Sequence, residues 1–231
     1  MSTQILASRT LAFAPASRLQ ESISAGVERR LLRWIAERTP TWINSDQLTT
    51  LGFLGQCMAG ACYVLARWNR YMLLLGIACL ALNWFGDSLD GTLARWRNQQ
   101  RPRYGFYVDH ITDTFAAFFL MSGMALSGYV SPFLAVGMLI VFLMLSIEVY
   151  LSSYTLGECR LSYWLFGPTE IRIALAIGNV ALLYRPMVKV LGRSFRLFDV
   201  GGTVAIAGMS VMLIVSAIRH IVQLYKQERI A

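Results

Sequence analysis

Apolar residues along this chain gather into long runs separated by short charged segments. Positions 48–66, 71–95, 105–129, 132–152, 169–184 and 202–224 are dominated by aliphatic and aromatic side chains. A helix of about 20 apolar residues matches the thickness of a bilayer's hydrocarbon core, so six transmembrane helices are expected. The fifth is the weakest, being short and interrupted by Arg172 and Asn179. Upstream, over 17–39, the period changes. Leu19, Ile23, Val27, Leu31 and Ile35 recur every four residues, while Arg18, Glu21, Glu28, Arg29, Arg30, Arg33 and Glu37 fill the remainder. That pattern predicts an amphipathic helix with a basic polar side, suited to the membrane interface and ended by Pro40. Residues 1–16 show no periodicity and are expected to be irregular. The expected fold class is all-α: a polytopic membrane protein of six transmembrane helices with an N-terminal amphipathic interfacial helix. It divides into 1–40, the irregular N-terminus plus the juxtamembrane helix, and 41–231, the six-helix membrane unit.

Composition agrees with a membrane setting. The 231 residues are 56% hydrophobic with a mean hydropathy of +0.50, well above the usage of soluble domains. The net charge of +8 does not read as nucleic-acid binding, because the basic residues flank the apolar runs, where they meet anionic headgroups. With the N-terminus cytoplasmic, about 15 Lys and Arg fall on the cytoplasmic side and about six on the other, the bias expected of an inserted chain. The segment 185–196 dissents, with Arg185, Lys189, Arg193 and Arg196 on the opposite side. It reads either as a second interfacial helix or as a sign that the fifth span is misplaced. Cys57, Cys62, Cys79 and Cys159 have no metal-ligand spacing and read as core residues. Arg9 and Arg18, with no continuous apolar run between them, do not make a cleaved secretory signal.

One stretch does not fit a purely structural membrane protein. From Gly86 to Asp113 the chain sets four carboxylates, Asp87, Asp90, Asp109 and Asp113, at the junction of two apolar runs, with Arg95, Arg97, Arg101 and Arg103 between them. A carboxylate at the bilayer centre costs about 2.5–3.5 kcal/mol on insertion scales, and ionisable groups kept in spans are by default functional. A helix over 71–95 rises about 37 Å, longer than the hydrocarbon core, so its last turns project beyond the core or line a wet cavity. On it Asp87, Gly91 and Arg95 follow at i+4, with Asp90 beside them; on the next, Gly105, Asp109 and Asp113 do the same. Two such acidic faces repel unless a cation lies between them, and hard divalent cations take carboxylate oxygens. Metal ions with an arginine alongside suit a phosphate or diphosphate.

The pattern D-x-x-D-G-x-x-A-R, nine residues, G-x-x-x-D-x-x-x-D resembles the signature of the CDP-alcohol phosphotransferase family. All eight fixed positions are present: Asp87, Asp90, Gly91, Ala94, Arg95, Gly105, Asp109 and Asp113. The stretch from Asn44 to Gly52 is also similar to that family's entry to its first span. The resemblance implies an enzyme of phospholipid biosynthesis in which an alcohol attacks a CDP-linked donor and CMP is released. It implies two Mg²⁺ or Mn²⁺ ions on Asp87, Asp90 and Asp109, with Asp113 completing the metal shell or accepting the hydroxyl proton. Gly91, Ala94, Arg95 and Gly105 are implied to border the cytidine diphosphate. A homodimer, membrane-lipid partners, a lipid or small-alcohol acceptor and a cytoplasmic-side active site are implied as well.

Within that family two branches compete. Asp109 is followed by His110, and D-H-x-x-D resembles the choline and ethanolamine branch, which uses a CDP-aminoalcohol and diacylglycerol; there His110 is a candidate proton relay one turn from Asp113, or simply a hydrogen-bonded residue of a polar cavity. Gly167-Pro168-Thr169-Glu170 is similar to a segment of the same branch. The short, six-span chain is instead like the enzymes that use CDP-diacylglycerol. Glu148, Glu158, Arg160, Glu170 and Arg172, near the ends of the fourth and fifth spans, include both signs and leave the acceptor open. Outside the family the rival is an ion transporter, which predicts acids spread through mid-depth of the spans.

Overall fold

Six long helices follow a shorter one, and the capping chemistry of the sequence sets several of their starts. The computed structural model describes residues 17–19, 25–156, 158–160, 167–190 and 192–229. Helix α1 spans Ala25–Arg38, α2 Ser45–Leu65, α3 Met72–Trp96, α4 Pro102–Ser127, α5 Pro132–Thr155, α6 Pro168–Tyr184 and α7 Leu197–Gln227. Asn44 caps α2 in a reciprocal box: its side chain accepts from the Gln47 N–H at 2.9 Å, and the Gln47 side chain accepts from the Asn44 N–H at 2.9 Å. Proline opens α4, α5 and α6, where its missing N–H costs nothing. The turn from α3 to α4 passes through Asn98 at φ +55°. There Arg97 donates to the carbonyls of Thr39, Pro40 and Ile43, tying the end of α3 to the link between α1 and α2.

Four of these helices, α2, α3, α5 and α7, are long and apolar enough to cross a membrane, and they make the chain an integral membrane protein. The expected count was six. The other two fall short for local reasons: the first half of α4 carries Arg103, Asp109, His110 and Asp113, and α6 has only 17 residues with Glu170 and Arg172 in its first turns. Asn179, which weakened the fifth run in the sequence, is fully buried. It accepts from the Tyr63 hydroxyl at 2.7 Å, so its polarity is satisfied within the bundle.

The described part of the N-terminal helix is shorter than the 17–39 expected. Residues Ser17–Leu19 form strand β1, paired in parallel with β2, Glu158–Arg160, a pairing across the chain to which local periodicity is blind. The expected irregularity of 1–16 lies outside the described residues. Of its apolar stripe, α1 packs only Ile35 among the described residues. Val27 and Leu31 face outward with Trp34, while Glu28, Leu32 and Ala36 are buried against α3. The buried Glu28 is held by three donors on one oxygen: Trp84 Nε1 at 2.8 Å, Ser88 Oγ at 3.1 Å and Thr169 Oγ1 at 3.0 Å.

The segment after α6 is neither an interfacial helix nor a displaced span. Strands β3, Met187–Val190, and β4, Arg193–Arg196, form an antiparallel hairpin whose turn uses Gly192 at φ +80°. Pro186 stops α6, and the strand register pairs Val190 with Arg193. The all-α expectation holds for the architecture, and the described residues add to the helical bundle only two small two-stranded pairings.

The bundle closes by backbone contact. A Cβ added at Gly86 of α3 would collide with the Leu48 carbonyl and the Gly52 backbone of α2, and one at Gly123 of α4 would collide with the Gly60 backbone of α2. These contacts seat α3 and α4 on the same helix and bring the C-terminal end of α3 to the N-terminal end of α4. Gly86→Ala and Gly123→Ala are each expected to lower stability by about 1–3 kcal/mol through overpacking, read as a drop in Tm in detergent. Gly208→Ala in α7, where a Cβ meets no atom within 4 Å, is expected to leave Tm unchanged or raise it slightly.

Candidate active site

The last turns of α3 and the first turns of α4 carry the acids, and the glycine contacts with α2 hold these ends together. Asp87, Asp109 and Asp113 each present an oxygen within 4.8 Å of the others. Asp87 and Asp109 are half-buried, whereas Asp113 is exposed on the surface of the chain. Three convergent carboxylates with hard oxygen donors fit a divalent cation such as Mg²⁺ or Mn²⁺. Asp90, the fourth acid of the sequence pattern, stands apart from this trio. Its Oδ2 accepts from Thr49 Oγ1 of α2 at 2.6 Å, and its Oδ1 contacts the N–H of Gly91.

Asp90 and Asp109 face a cavity of about 100 Å³ between α2, α3 and α4, whose wall includes Thr49, Gly91, Ala94 and Gly105. Gly105 leaves room there, since a Cβ on it would meet no atom within 4 Å. Arg101 spans the rim: it pairs with Asp46 and lies over the Tyr104 ring, 4.2 Å from its centre. Of the expected nucleotide-side residues, Gly91, Ala94 and Gly105 thus share one cavity. Arg95 lies on the exposed side of α3, where it donates to Thr92 Oγ1 at 3.3 Å, and it is not part of that wall. On the other side of Asp87, a hollow of about 10 Å³ is bounded by Asn83, Asp87, Thr112 and Asp113.

His110 points away from the trio, toward α5. Its ring stacks on Phe106 at 4.1 Å and meets Tyr150 edge-on at 4.8 Å, and its Nδ1 lies 2.7 Å from the Phe106 carbonyl oxygen. The same Nδ1 is 3.8 Å from Asp109 Oδ2, so the ring touches the edge of the acid cluster rather than its centre.

The charged residues expected near the fourth and fifth spans do not form one subsite. Glu148 accepts from Ser216 Oγ at 2.9 Å and lies 2.6 Å from His220 Nδ1, joining α5 to α7. Glu170 caps α6 by accepting from the Gly167 N–H at 2.9 Å. The side chains of Glu158 and Arg160 lie outside the described residues. Arg172 reaches the acids: its Nη2 donates to Asp87 Oδ2 at 2.6 Å and its Nε to Asn83 Oδ1 at 2.7 Å. The sequence pattern missed Thr49, Asp46 and Asn83 because each lies outside the run of acids; only the ionisable character of Arg172 inside an apolar run signalled a role. The acids of the pattern collect at one end of the bundle, unlike the mid-depth distribution a transporter predicts.

Comparison with known proteins places the chain among relatives. One curated relative, an archaetidylinositol phosphate synthase from Methanothermobacter thermautotrophicus, is 32% identical over 103 residues, which is 45% of this chain. The match spans about half the length of that relative, 49%. The profile of the CDP-alcohol phosphatidyltransferase family matches residues 42–223, which takes in α2 through most of α7 and every acid of the site. The chain belongs to the CDP-alcohol phosphatidyltransferase family.

Proposed function

We propose that the protein is a metal-dependent transferase of phospholipid synthesis that moves a substituted phosphate group from a CDP-linked donor to an alcohol and releases CMP. The observation that carries this reading is the meeting of Asp87, Asp109 and Asp113 within 4.8 Å, next to a cavity lined by Gly91, Ala94 and Gly105. In the reaction, the alcohol oxygen bonds to the phosphorus distal to cytidine, the bond from that phosphorus to the bridging oxygen breaks, and the pair leaves with CMP. Bound divalent ions supply charge neutralisation for the diphosphate and the leaving group. Asp87, Asp109 and Asp113 would hold one ion, and Asp90, facing the cavity beside Asp109, would serve a second. Asp113, through the carboxylate oxygen not given to the ion, takes the hydroxyl proton. The bare backbone at Gly91 and Gly105 admits the diphosphate closely, and Arg95, exposed at the end of α3, pairs with its charge from outside the cavity.

All six long helices cross the membrane, α4 and α6 sheltering their polar turns at the site, with α1 lying in the interface and its Val27, Leu31 and Trp34 toward lipid. The division is 1–40 and 41–231, the acids face the cytoplasm, and the working unit is a homodimer. Two donor classes remain, each with an observation in its favour. The relative that makes archaetidylinositol phosphate favours a CDP-activated lipid donor with a polar alcohol acceptor. His110 directly after Asp109, packed between Phe106 and Tyr150, favours a CDP-aminoalcohol with diacylglycerol.

Purified protein in lipid with Mg²⁺ or Mn²⁺, given CDP-diacylglycerol, CDP-choline and CDP-ethanolamine with candidate acceptors, is expected to release CMP with one donor class. Release should vanish with EDTA and fall at least about a hundredfold in Asp113→Asn, the scale of a lost general base. No release with any donor, or full release from the Asp113 variant, overturns the reading. His110→Ala is expected to lower turnover at least about tenfold if His110 relays the proton; unchanged turnover removes it from the chemistry and, with it, the structural argument for the aminoalcohol branch.

A further inference from the structure

Arg172 sits where α6 meets α3, and its guanidinium is engaged on two sides. Nε donates to Asn83 Oδ1 at 2.7 Å and Nη2 to Asp87 Oδ2 at 2.6 Å. Its side chain is only 14% exposed and that of Asp87 24%, so the pair is shielded from water and its geometry is well held. Asn83 is itself buried, and its amide donates to the Gly52 carbonyl at 3.0 Å. One rigid fork therefore links α6, two successive turns of α3 and, through Asn83, the glycine contact with α2. The next turn of the same α3–α6 seam is closed by Glu28, which receives Ser88 and Thr169, neighbours in sequence or one turn from Asp87 and Arg172.

We propose that Arg172 is a positioning residue for the acid cluster: it fixes the carboxylate of Asp87 through one oxygen, so that the other stays aimed at the ion shared with Asp109 and Asp113. The inference rests on the metal-dependent reading above. It assigns the arginine to the orientation of a ligand rather than to the recognition of an acceptor, and the two ideas differ in what they predict. Carboxylates that bind metal are commonly held by such outer hydrogen bonds, whose loss weakens metal affinity about 10–100-fold. Simple charge makes the opposite prediction. Removing a guanidinium beside three carboxylates leaves more negative charge around the ion, and Coulomb attraction alone would tighten its binding.

The sign of the change is therefore the test. Mn²⁺ binding to the donor-free protein in lipid nanodiscs, followed by electron paramagnetic resonance, should weaken at least about tenfold in Arg172→Gln, with Tm monitored in parallel. Arg172→Lys, which keeps the charge but presents a single point donor in place of the fork, should be weakened to a similar extent. Unchanged or tighter binding in the Gln variant, or wild-type affinity in the Lys variant, overturns the proposal. If the Gln variant does not fold, the Lys variant decides alone by the same criterion. A wild-type protein that binds no Mn²⁺ would overturn the metal reading itself, and this inference with it. Wild-type binding with unaffected variants overturns only the role of Arg172.

Discussion

The contact on which the site depends is the approach of α3 to α2 at Gly86 and Gly52, where the two backbones touch with no side chain between them. In a membrane the hydrophobic effect does not press helices together, so such close packing through small residues has to supply the association. Here it does more than hold the bundle. Gly86 immediately precedes Asp87, and Gly52 is one turn beyond Thr49, which bonds Asp90. The same contact that joins the helices therefore sets the depth and rotation of both acids. The second backbone contact, Gly60 with Gly123, seats α4 on the other side of α2 and brings Asp109 and Asp113 to the same end.

Around this contact the polar residues act as a graded set of restraints. Thr49 holds Asp90, Arg172 holds Asp87, and Asn83 ties the arginine to the α2 backbone. Glu28 extends the network to α1, so the one helix that lies outside the six-helix set is fastened directly to the seam beside the acids. Each of these bonds is at least partly buried, where an unmade hydrogen bond is costly. Together they hold a cluster of mutually repelling carboxylates in a fixed arrangement whose oxygens suit a divalent cation.

Much of this was legible in the residues. The apolar runs predicted six helices within a few positions of their observed ends, because hydrophobic periodicity reports burial and lipid exposure residue by residue. The eight-position pattern was enough to identify the family by resemblance, because it fixes Gly91, Ala94, Arg95 and Gly105 together with the four acids. The run also carried Gly91, Ala94 and Gly105, which do share one cavity. Of the four acids the pattern sets together, Asp87, Asp109 and Asp113 present oxygens within 4.8 Å of one another, while Asp90 bonds Thr49 and shares a cavity with Asp109. Which oxygen faces which neighbour depends on the rotation of two helices about their axes, and spacing along one helix carries no information about the other.

The sequence by itself determined the class of protein, the approximate helices and the identity of the acidic residues, because those follow from local composition and period. It did not determine which face of α1 docks, that 187–196 is a hairpin, or that Arg172 of α6 belongs with Asp87 of α3, 85 positions away. Those are decided by tertiary contacts. α1 docks through Glu28, Leu32 and Ala36 because donors on α3 and α6 converge on that carboxylate, and Arg172 finds Asp87 because the bundle's small-residue contacts bring the two helix ends together. For both, the physical reason is the same: a buried charge goes where its partners are, and partners supplied by other helices exist only once the helices have packed. The hairpin likewise forms by pairing between strands, which the period of either strand alone does not report.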